Sequence, residues 1–318
     1  MRVLVAGASG VVGRSLLPVL IKAGHTVFGM TSAANKRSLV ESLGAQHIAA
    51  DALDRQAVLR EVARVRPEIV VNELTAIPPA INLRKFEEQF ALTNRLRTEG
   101  SDYLLESALA SGARKLIAQS YAGWPYARVG GPVKTEDDPL DPNPPQVFRS
   151  GLAAIRHLES TVPRARGIEG IVLRYGSFYG PGTSGAWMLD QVRKHRLPII
   201  GTGGAVWSFI HIDDVATATL GAVERGKPGL YNIVDDEPAP VSVWIPELAK
   251  MVGAKPPMRV PAWIARLMVG EAGVIMMTEA RGSSNQKAKS ALGWAPHWKS
   301  WREGFRHEAE LEQRKMAA

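Results

Sequence analysis

The sequence predicts an α/β protein with a doubly wound parallel (Rossmann) sheet and a smaller C-terminal cap. Three observations lead to this prediction. Short apolar runs alternate with helical patterns through the N-terminal half, a glycine-rich turn joins the first strand to the first helix, and the pattern loosens after about Gly176. Alternating strands and helices are typical of parallel sheets, because consecutive parallel strands need a crossover connection that is usually a helix.

The predicted strands read as nearly continuous apolar runs, as expected for strands that are buried on both faces. These strands are Arg2–Ala6, Thr26–Met30, Gln46–Ala49, Glu68–Asn72, Lys115–Gln119 and Gly170–Arg174. The helices predicted in this half are Val11–Ala23, Lys36–Leu43, Arg55–Val65, Thr93–Ser111 and Gln146–Val162. This order of elements predicts a Rossmann domain over residues 1–175.

The remainder of the chain predicts shorter and less regular elements. A proline-rich segment over residues 122–146 carries the acidic run Glu136-Asp137-Asp138, which indicates a long ordered loop near the site. The later predicted elements are helices Trp187–His195, Asp213–Arg225, Val241–Val252 and Trp298–Glu312, and strand Leu230–Val234. We expect residues 176–318 to form mainly the substrate-binding cap, with about residues 205–235 returning to the Rossmann domain.

Composition excludes several classes of site. The 318 residues include no cysteine, which rules out disulfides, thiolate metal sites and cysteine nucleophiles. The formal net charge is +8, but basic residues are mixed with acidic ones and no nucleic-acid motif accompanies them, so we expect no nucleic-acid partner. The chain starts directly with a strand, and its longest apolar run, Gly273–Met277, is far too short to span a bilayer. These features predict a cytoplasmic protein with no membrane partner.

The turn after the first strand predicts a dinucleotide site. Gly7 allows a sharp turn, Gly10 lets the backbone approach phosphates, and Gly13 allows the helix to pack close to the strand. The helix N-terminus then offers N–H groups and a partial positive charge to a pyrophosphate. The predicted pyrophosphate-binding residues are Gly7, Ser9, Gly10, Val11, Val12 and Gly13. The turn therefore predicts binding of NAD(H) or NADP(H).

The end of the second strand favours NADP(H) over NAD(H). An NAD site usually has Asp or Glu there, about 20 residues past the turn, to bind the ribose 2′-hydroxyl. The stretch Gly29-Met30-Thr31-Ser32-Ala33 contains no acid. Nearby groups that can meet a 2′-phosphate are Arg14, Lys36, Arg37, Thr31 and Ser32, although Arg14 and Arg37 also suit an ordinary solvated helix face. Asp51, Ala52 and Leu53 are predicted beside the adenine, with loop capping as the alternative for Asp51.

Several motifs resemble the extended short-chain dehydrogenase/reductases, the NAD-dependent epimerase/dehydratase family. The G-x-x-G-x-x-G spacing of the turn is the first. The others are Lys115–Ser120, Thr135–Pro139, Leu173–Gly182, Phe209–Ala216 and Gly229–Ile233. The resemblance covers nearly the whole chain. It implies a catalytic role for Ser120 at the end of the fifth strand, and Tyr175 is the last predicted cofactor contact.

A metal site is an alternative interpretation of one of these motifs. His211, Asp213 and Asp214 precede an apolar helix, and all three side chains are possible metal ligands. Asp213 is also a plausible N-cap of that helix, which already explains the acidic residues. The sequence therefore predicts no metal.

The Tyr-x-x-x-Lys pair on which the family's chemistry rests is absent. The six tyrosines are Tyr103, Tyr121, Tyr126, Tyr175, Tyr179 and Tyr231, and none has lysine four residues later. By its place in the pattern, Phe148 occupies the tyrosine position and Leu152 the lysine position. Phenylalanine carries no acidic proton and leucine cannot tune one. Ser120, Tyr121 and Tyr126 are the candidate catalytic replacements, and the alternative is that both tyrosines only pack or hydrogen-bond in the loop.

Three functional hypotheses follow. The first is an NAD(P)-dependent oxidoreductase or epimerase-like enzyme that acts on a small metabolite through a nonstandard site. The second is a non-redox isomerase or lyase of the same fold, and the third is a non-enzymatic NADP(H)-binding sensor. The family resemblance also implies a homodimer that packs the helices Thr93–Ser111 and Gln146–Val162 of each subunit.

Overall fold

The protein is described here by a computed structural model that covers residues 1–78 and 81–317. Its strands are numbered from the N-terminus. They are β1 (Arg2–Ala6), β2 (Thr26–Thr31), β3 (Gln46–Ala49), β4 (Ile69–Asn72), β5 (Lys115–Tyr121), β6 (Val133–Lys134), β7 (Glu169–Tyr175), β8 (Ser177–Tyr179), β9 (Ile199–Ile200), β10 (Val206–Trp207), β11 (Phe209–His211), β12 (Gly229–Ile233), β13 (Ala239–Pro240), β14 (Arg259–Val260) and β15 (Gly282–Ser283).

The helices surround these strands. They are α1 (Val11–Lys22), α2 (Arg37–Ser42), α3 (Arg55–Val65), α4 (Phe86–Arg95), α5 (Ser101–Ala110), α6 (Arg149–Thr161), α7 (Gly185–Arg193), α8 (Ile212–Arg225), α9 (Val241–Met251), α10 (Ala262–Thr278), α11 (Gln286–Leu292) and α12 (Trp301–Ala317). None of those in the described part is both long and apolar enough to cross a membrane.

A seven-stranded parallel sheet forms the centre of the molecule, which confirms the predicted fold class. Its order is β12-β7-β5-β4-β1-β2-β3. The strand order reverses between β1 and β4, and such a switch point opens a crevice at the carboxyl ends of the strands. All six strands predicted for the N-terminal half are present within one or two residues. The predicted strand Leu230–Val234 is observed as β12, which pairs with β7 at the edge of this sheet.

The apolar strands fill two cores, one on each face of the sheet. Alternate residues point to opposite faces, so Val3 and Val5 of β1 pack beneath α1 and α8, whereas Leu4 packs toward α3 and α5. The continuous apolar runs in the sequence are therefore the result of burial on both sides. A third core lies among the later elements and includes Trp244 and Trp301. The division of the chain into two domains stays a prediction.

The helix predicted over Thr93–Ser111 begins earlier than expected. The helical segment starts at Phe86 and is continuous through a π-helical turn, Leu96–Gly100, into α5. Phe86 and Phe90 are four residues apart, so both side chains lie on one face and pack in a fourth, aromatic core. This apolar spacing is the sequence signal that extends the helix.

The helix α10 was not predicted, and it is folded back on itself. Gly270 has φ +76°, which interrupts the helix in its middle. A Cβ placed on Gly201 would lie 3.5 Å from Thr278 and 3.9 Å from Ala262, the two ends of α10. A straight helix of this length would separate its ends by about 24 Å. The segment is therefore a helical hairpin, and its second arm packs Ala272 and Ile275 into the aromatic core.

Candidate active site

The glycine turn after β1 has the geometry of a phosphate cradle. Gly7 has φ +86°, and a Cβ there would lie 2.5 Å from the carbonyl oxygen of Glu73. A Cβ on Gly13 would lie 2.5 Å from the carbonyl oxygen of Gly7, so close helix packing requires glycine. Gly10 begins α1 without any side-chain cap, and no acidic residue stands in the first turn. The N–H groups of this turn thus remain free of competing side-chain acceptors, which fits a dinucleotide pyrophosphate.

The other residues predicted at the turn differ in how far their side chains are buried. Val12 is buried in the core beneath the sheet face, so only its backbone is available to a ligand. Ser9 and Val11 are half-buried at the surface of the turn. Arg14 is exposed, and its Nη2 lies 3.3 Å from the position of a Cβ on Gly182. The fold therefore brings Arg14 to the Gly180-Pro181-Gly182 turn.

At the end of β2, the Thr31 hydroxyl is already hydrogen-bonded, whereas two polar side chains that follow are exposed. The Oγ1 of Thr31 donates to the carbonyl of Ala33 at 3.0 Å and lies 2.8 Å from Nε2 of His47. Ser32 and Arg37 are exposed, and Arg37 forms a loose ion pair with Glu41 at 3.6 Å. Burial, and to a smaller extent the charge of Arg37, lowers the pKa of His47. Arg37 and the end of β2 are thus close in space.

The loop after β3 holds the three residues predicted at the adenine. Oδ1 of Asp51 accepts a hydrogen bond from the backbone N–H of Leu53 at 3.0 Å, which is the loop-capping geometry. Ala52 is buried, and its carbonyl oxygen lies 3.6 Å from the position of a Cβ on Gly100. Asp51 is exposed at the carboxyl edge of the sheet, and capping uses only its Oδ1, which leaves Oδ2 for a ligand contact.

A buried acid that the sequence interpretation missed lies beneath the glycine turn. Glu73 follows β4 directly, and its Oε1 accepts a hydrogen bond from the hydroxyl of Tyr175 at 2.9 Å. That hydroxyl also lies 2.8 Å from Oγ1 of Thr219. Burial raises the pKa of Glu73 to about 8, so the carboxyl is mostly protonated at neutral pH. The Tyr175 side chain is committed to this buried group, which leaves its backbone for the predicted cofactor contact.

Two of the three candidate catalytic residues belong to a buried polar network. The hydroxyl of Ser120 donates to Oε1 of Glu159 at 2.7 Å, and Glu159 also binds two nitrogens of Arg174. The hydroxyl of Tyr126 donates to Oδ1 of Asn232 at 2.6 Å and accepts from Arg174 at 3.0 Å. Tyr126 is only 1% exposed. The network joins the carboxyl ends of β5, β7 and β12 to α6.

The structure does not bring Ser120 to the position that the family resemblance assigns to the catalytic tyrosine. Ser120 bonds to Glu159, which stands eleven residues after Phe148 along α6. At 1.5 Å per residue this separation is about 16 Å. Trp124, rather than Ser120, contacts Phe148, with stacked rings whose centroids are 4.5 Å apart.

The two residues that the sequence predicts at the tyrosine and lysine positions are apolar and buried. Phe148 packs edge-on against Phe86 with centroids 5.1 Å apart, and Phe90 completes the aromatic cluster formed by these residues and Trp124. Leu152 is likewise buried. Neither position offers a group that can exchange a proton.

A cleft lies beside this cluster. Its walls include Trp124, Tyr121, Trp207 and Met276. The hydroxyl of Tyr121 lies 3.3 Å from Oγ of Ser177, and burial raises the pKa of this tyrosine. Tyr121 is the one candidate catalytic residue that lines the cleft.

The helix α8 is capped differently from the prediction. The side chain of His211, rather than that of Asp213, caps the helix by accepting a hydrogen bond from the Asp213 N–H at 3.2 Å. Asp214 instead accepts hydrogen bonds from the backbone N–H groups of His297 and Trp298 at 2.7 and 3.0 Å. The Asp214 carboxylate therefore has a structural role, and no group of three metal-ligating side chains is found within residues 1–78 and 81–317.

Comparison with known proteins agrees with this geometry. Residues 3–234 match the NAD dependent epimerase/dehydratase family. The chain belongs to this family. It is 42% identical, over 97% of its length and 100% of the relative's, to a 3-diazoavenalumate denitrifying reductase of a Streptomyces species. It is 26% identical, over 73% of its length and 71% of the relative's, to a probable dTDP-glucose 4,6-dehydratase of Sinorhizobium fredii.

Solved structures share the fold. The UDP-glucose 4-epimerase of Thermotoga maritima, solved with UDP-glucose, superposes with a TM-score of 0.78 at 24% identity, covering 99% of this chain and 100% of that one. A human epimerase family protein with NADPH superposes with a TM-score of 0.75 at 20% identity, covering 98% and 99%. These structures show the fold, whereas the family match and the curated relatives identify the chain as an enzyme of the NAD(P)-dependent oxidoreductase and epimerase type, with a nicotinamide dinucleotide as its cofactor.

Proposed function

We propose that this protein is an NAD(P)H-dependent reductase that replaces the diazo group of a small planar carboxylate with hydrogen. The observation that carries the proposal is the apolar, buried environment of Phe148 and Leu152 beside an aromatic cleft, because the sequence predicts these two residues at the tyrosine and lysine positions. The 42% identical relative, a 3-diazoavenalumate denitrifying reductase, supplies the substrate class.

The chemistry of this substrate explains why a proton donor is dispensable. A reduced nicotinamide supplies a hydride, and with a diazonium group the balance is R–N₂⁺ + H⁻ → R–H + N₂. No oxygen gains charge, so no acid has to deliver a proton. Reduction of a ketone, in contrast, leaves an oxyanion that must be protonated, which is the purpose of an acidic tyrosine.

The residues of this chain then hold the substrate and keep water out. Trp124, Tyr121 and Trp207 offer flat apolar faces that suit stacking on a planar molecule. The indole N–H of Trp207 donates to the carbonyl of Met276 at 2.8 Å, which fixes the orientation of that ring. A dry cleft protects a diazonium carbon from attack by water, the competing nucleophile.

The candidate catalytic residues have different roles under this proposal. Ser120 and Tyr126 stiffen the strand ends through their buried hydrogen bonds. Tyr121 forms part of the cleft wall and keeps its proton, consistent with its raised pKa. The reductase relative and the retained cleft favour an enzyme over a sensor, and a reductase over a non-redox isomerase.

We also propose that the cofactor is NADP(H). The hydroxyl of Thr31 is already engaged, so the contacts to a 2′-phosphate fall to Ser32 and Arg37, which are exposed at the end of β2. Arg14 is a second cation near this edge and reaches the Gly182 turn. No acid in the described stretch after β2 would repel the phosphate.

We further propose that the protein forms a homodimer through α4 and α6. The α4 and α6 helices lie side by side on one face of the sheet, and Leu92 on α4 is 47% exposed. An exposed leucine on such a helix suits burial against a second copy. Size-exclusion chromatography with light scattering tests this part, because Leu92→Glu should convert a dimer to a monomer.

The decisive experiment follows the label in the reduced product. The purified protein is incubated with an arenediazonium carboxylate and NADPH or NADH that carries deuterium at the transferable C4 position. We expect deuterium at the carbon that lost nitrogen, with one cofactor oxidised per N₂ released. A reaction without protein and a reaction with Gly7→Ala, which disrupts the turn, measure the background.

Two outcomes would refute the proposal. One is product hydrogen that comes from D₂O rather than from the cofactor. The other is efficient reduction of ketones with no turnover of the diazonium compound, since that result would show that a carbonyl is the hydride acceptor, with a group such as Tyr121 supplying the proton.

A further inference from the structure

The helical segment beside the cleft carries a buried arginine without an ionic partner. Arg97 lies in the π-helical turn Leu96–Gly100, and only 6% of its surface is exposed. Among residues 1–78 and 81–317, its Nε has no hydrogen-bond acceptor, and no carboxylate lies within salt-bridge distance of its guanidinium. π-Helical turns of this kind occur frequently at functional sites.

The charges around Arg97 do not balance. Glu159 is the acid whose charge acts on Arg97, but both Glu159 oxygens bind Arg174, and one also accepts from Ser120. One carboxylate therefore faces two guanidinium groups. Burial lowers the pKa of Arg97 to about 10, so it still carries its charge at neutral pH. A buried cation without compensation is costly, which indicates that an anion is missing from the protein alone.

Neighbouring contacts place the helix face of Arg97 directly behind the cleft wall that Trp124 forms. Arg97 follows Asn94 by three residues and shares its helix face. Nδ2 of Asn94 lies 3.5 Å from Oγ of Ser150 in α6. A Cβ on Gly151 would lie 3.8 Å from Oδ1 of Asn94 and 3.4 Å from the ring of Trp124, which lines the cleft. The face of this segment that turns toward α6 is thus one residue layer from the substrate site.

We propose that Arg97 binds the carboxylate of the substrate and so sets the orientation of the planar molecule in the cleft. The assignment rests on the proposed function for its substrate class. Guanidinium groups bind carboxylates through paired, charge-assisted hydrogen bonds, and a buried site makes such a pair selective. The carboxylate would also supply the charge that Glu159 cannot give to two arginines.

Binding of unreactive probes tests the proposal without any diazo chemistry. Isothermal titration calorimetry measures the Kd of cinnamate, a planar arene carboxylate, and of its neutral counterpart cinnamamide, with the NADP⁺-loaded protein. We expect Arg97→Met to weaken cinnamate binding by about 10- to 100-fold and to leave cinnamamide unchanged. Arg97→Lys keeps the charge and should retain part of the affinity.

Arg95→Met is the matched control, because Arg95 stands on the same helix but is exposed and pairs with Glu99 at 2.8 Å. It should not change either Kd. Equal losses for cinnamate and cinnamamide in Arg97→Met would overturn the proposal, as would wild-type protein that binds cinnamate no better than cinnamamide. A raised Kd for NADPH with unchanged cinnamate binding would assign Arg97 to a cofactor phosphate instead. A failure of diazo reduction alone would leave this assignment standing.

Discussion

The buried acid beneath the glycine turn makes stability depend on pH in a direction that the structure specifies. The pKa of Glu73 is about 8 in the folded protein and 4.5 as its ordinary value. As pH rises above 4.5 the unfolded chain loses this proton and the folded chain keeps it, so the folded state becomes less stable up to pH 8. Each pH unit in this window costs about 1.4 kcal/mol.

The replacement Glu73→Gln removes the ionisable group and keeps an oxygen that can accept from the Tyr175 hydroxyl. Between pH 5 and 7.5 the free energy of unfolding of the wild-type protein should fall by about 3 kcal/mol relative to that of this variant. Urea unfolding of both proteins at the two pH values measures the difference, provided that the m-values agree. Glu87→Gln, at an exposed position of α4, is the control and should show no such change.

Ionisation of Glu73 should also weaken cofactor binding. Gly7 contacts the backbone of Glu73, so a bound pyrophosphate would lie near an ionised Glu73 carboxylate and be repelled by it. The Kd of NADPH should therefore rise above pH 8 in the wild type and not in Glu73→Gln. If Glu73→Gln showed the same pH dependence of the free energy of unfolding as the wild type, the assignment of that dependence to Glu73 would be refuted.

Three further predictions concern the cofactor and the apolar positions. Gly7→Ala should weaken NADPH binding by roughly 100-fold in a fluorescence titration, because the new Cβ would lie 2.5 Å from the carbonyl oxygen of Glu73. Gly24→Ala has a similar positive φ but nothing within 4 Å, so an equal loss there would contradict this explanation. Arg37→Ala should raise the Kd of NADPH about tenfold and spare NADH, and a parallel rise for both cofactors would exclude a 2′-phosphate contact. Phe148→Tyr should lower the free energy of unfolding by about 1–3 kcal/mol, since its hydroxyl would enter an aromatic cluster without a partner, and a gain of ketone reduction would contradict that environment.

The central sheet could be predicted because its signals are local. Each strand is a short apolar run between helical patterns, and the glycines of the first turn stand at fixed spacing. The helical hairpin of α10 had no such signal. Gly270 reads as one glycine inside an apolar helical stretch, and only the packing of both arms on neighbouring segments reveals its positive φ. The reversal of α10 at Gly270 therefore depends on tertiary contacts, which the sequence pattern does not reveal.

The site was predictable at the cofactor turn and much less so at the reacting end. Ser120 is a predicted catalytic residue because it follows the predicted strand Lys115–Gln119. Its partners Glu159 and Arg174 come from other elements, and no spacing in the sequence links them to it. Glu73 had a visible signal, since an acid that follows a buried strand directly must find a partner or stay protonated. Arg97 had none, because its burial depends on a turn between two helices.

The polar groups that remain around the cleft favour one type of hydride acceptor over another. The Ser120 proton is committed to a carboxylate, so the hydroxyl cannot also donate to a substrate oxygen as a carbonyl reductase requires. Phe148 and Leu152, which the sequence predicts at the tyrosine and lysine positions, have no exchangeable proton. The Tyr121 hydroxyl keeps its proton in the cleft wall, 3.3 Å from Oγ of Ser177, so an epimerase or a ketoreductase would depend on this group to protonate its reacting oxygen. A substrate that accepts a hydride and releases a neutral leaving group needs no proton donor, and the proposed diazo substrate is of this type.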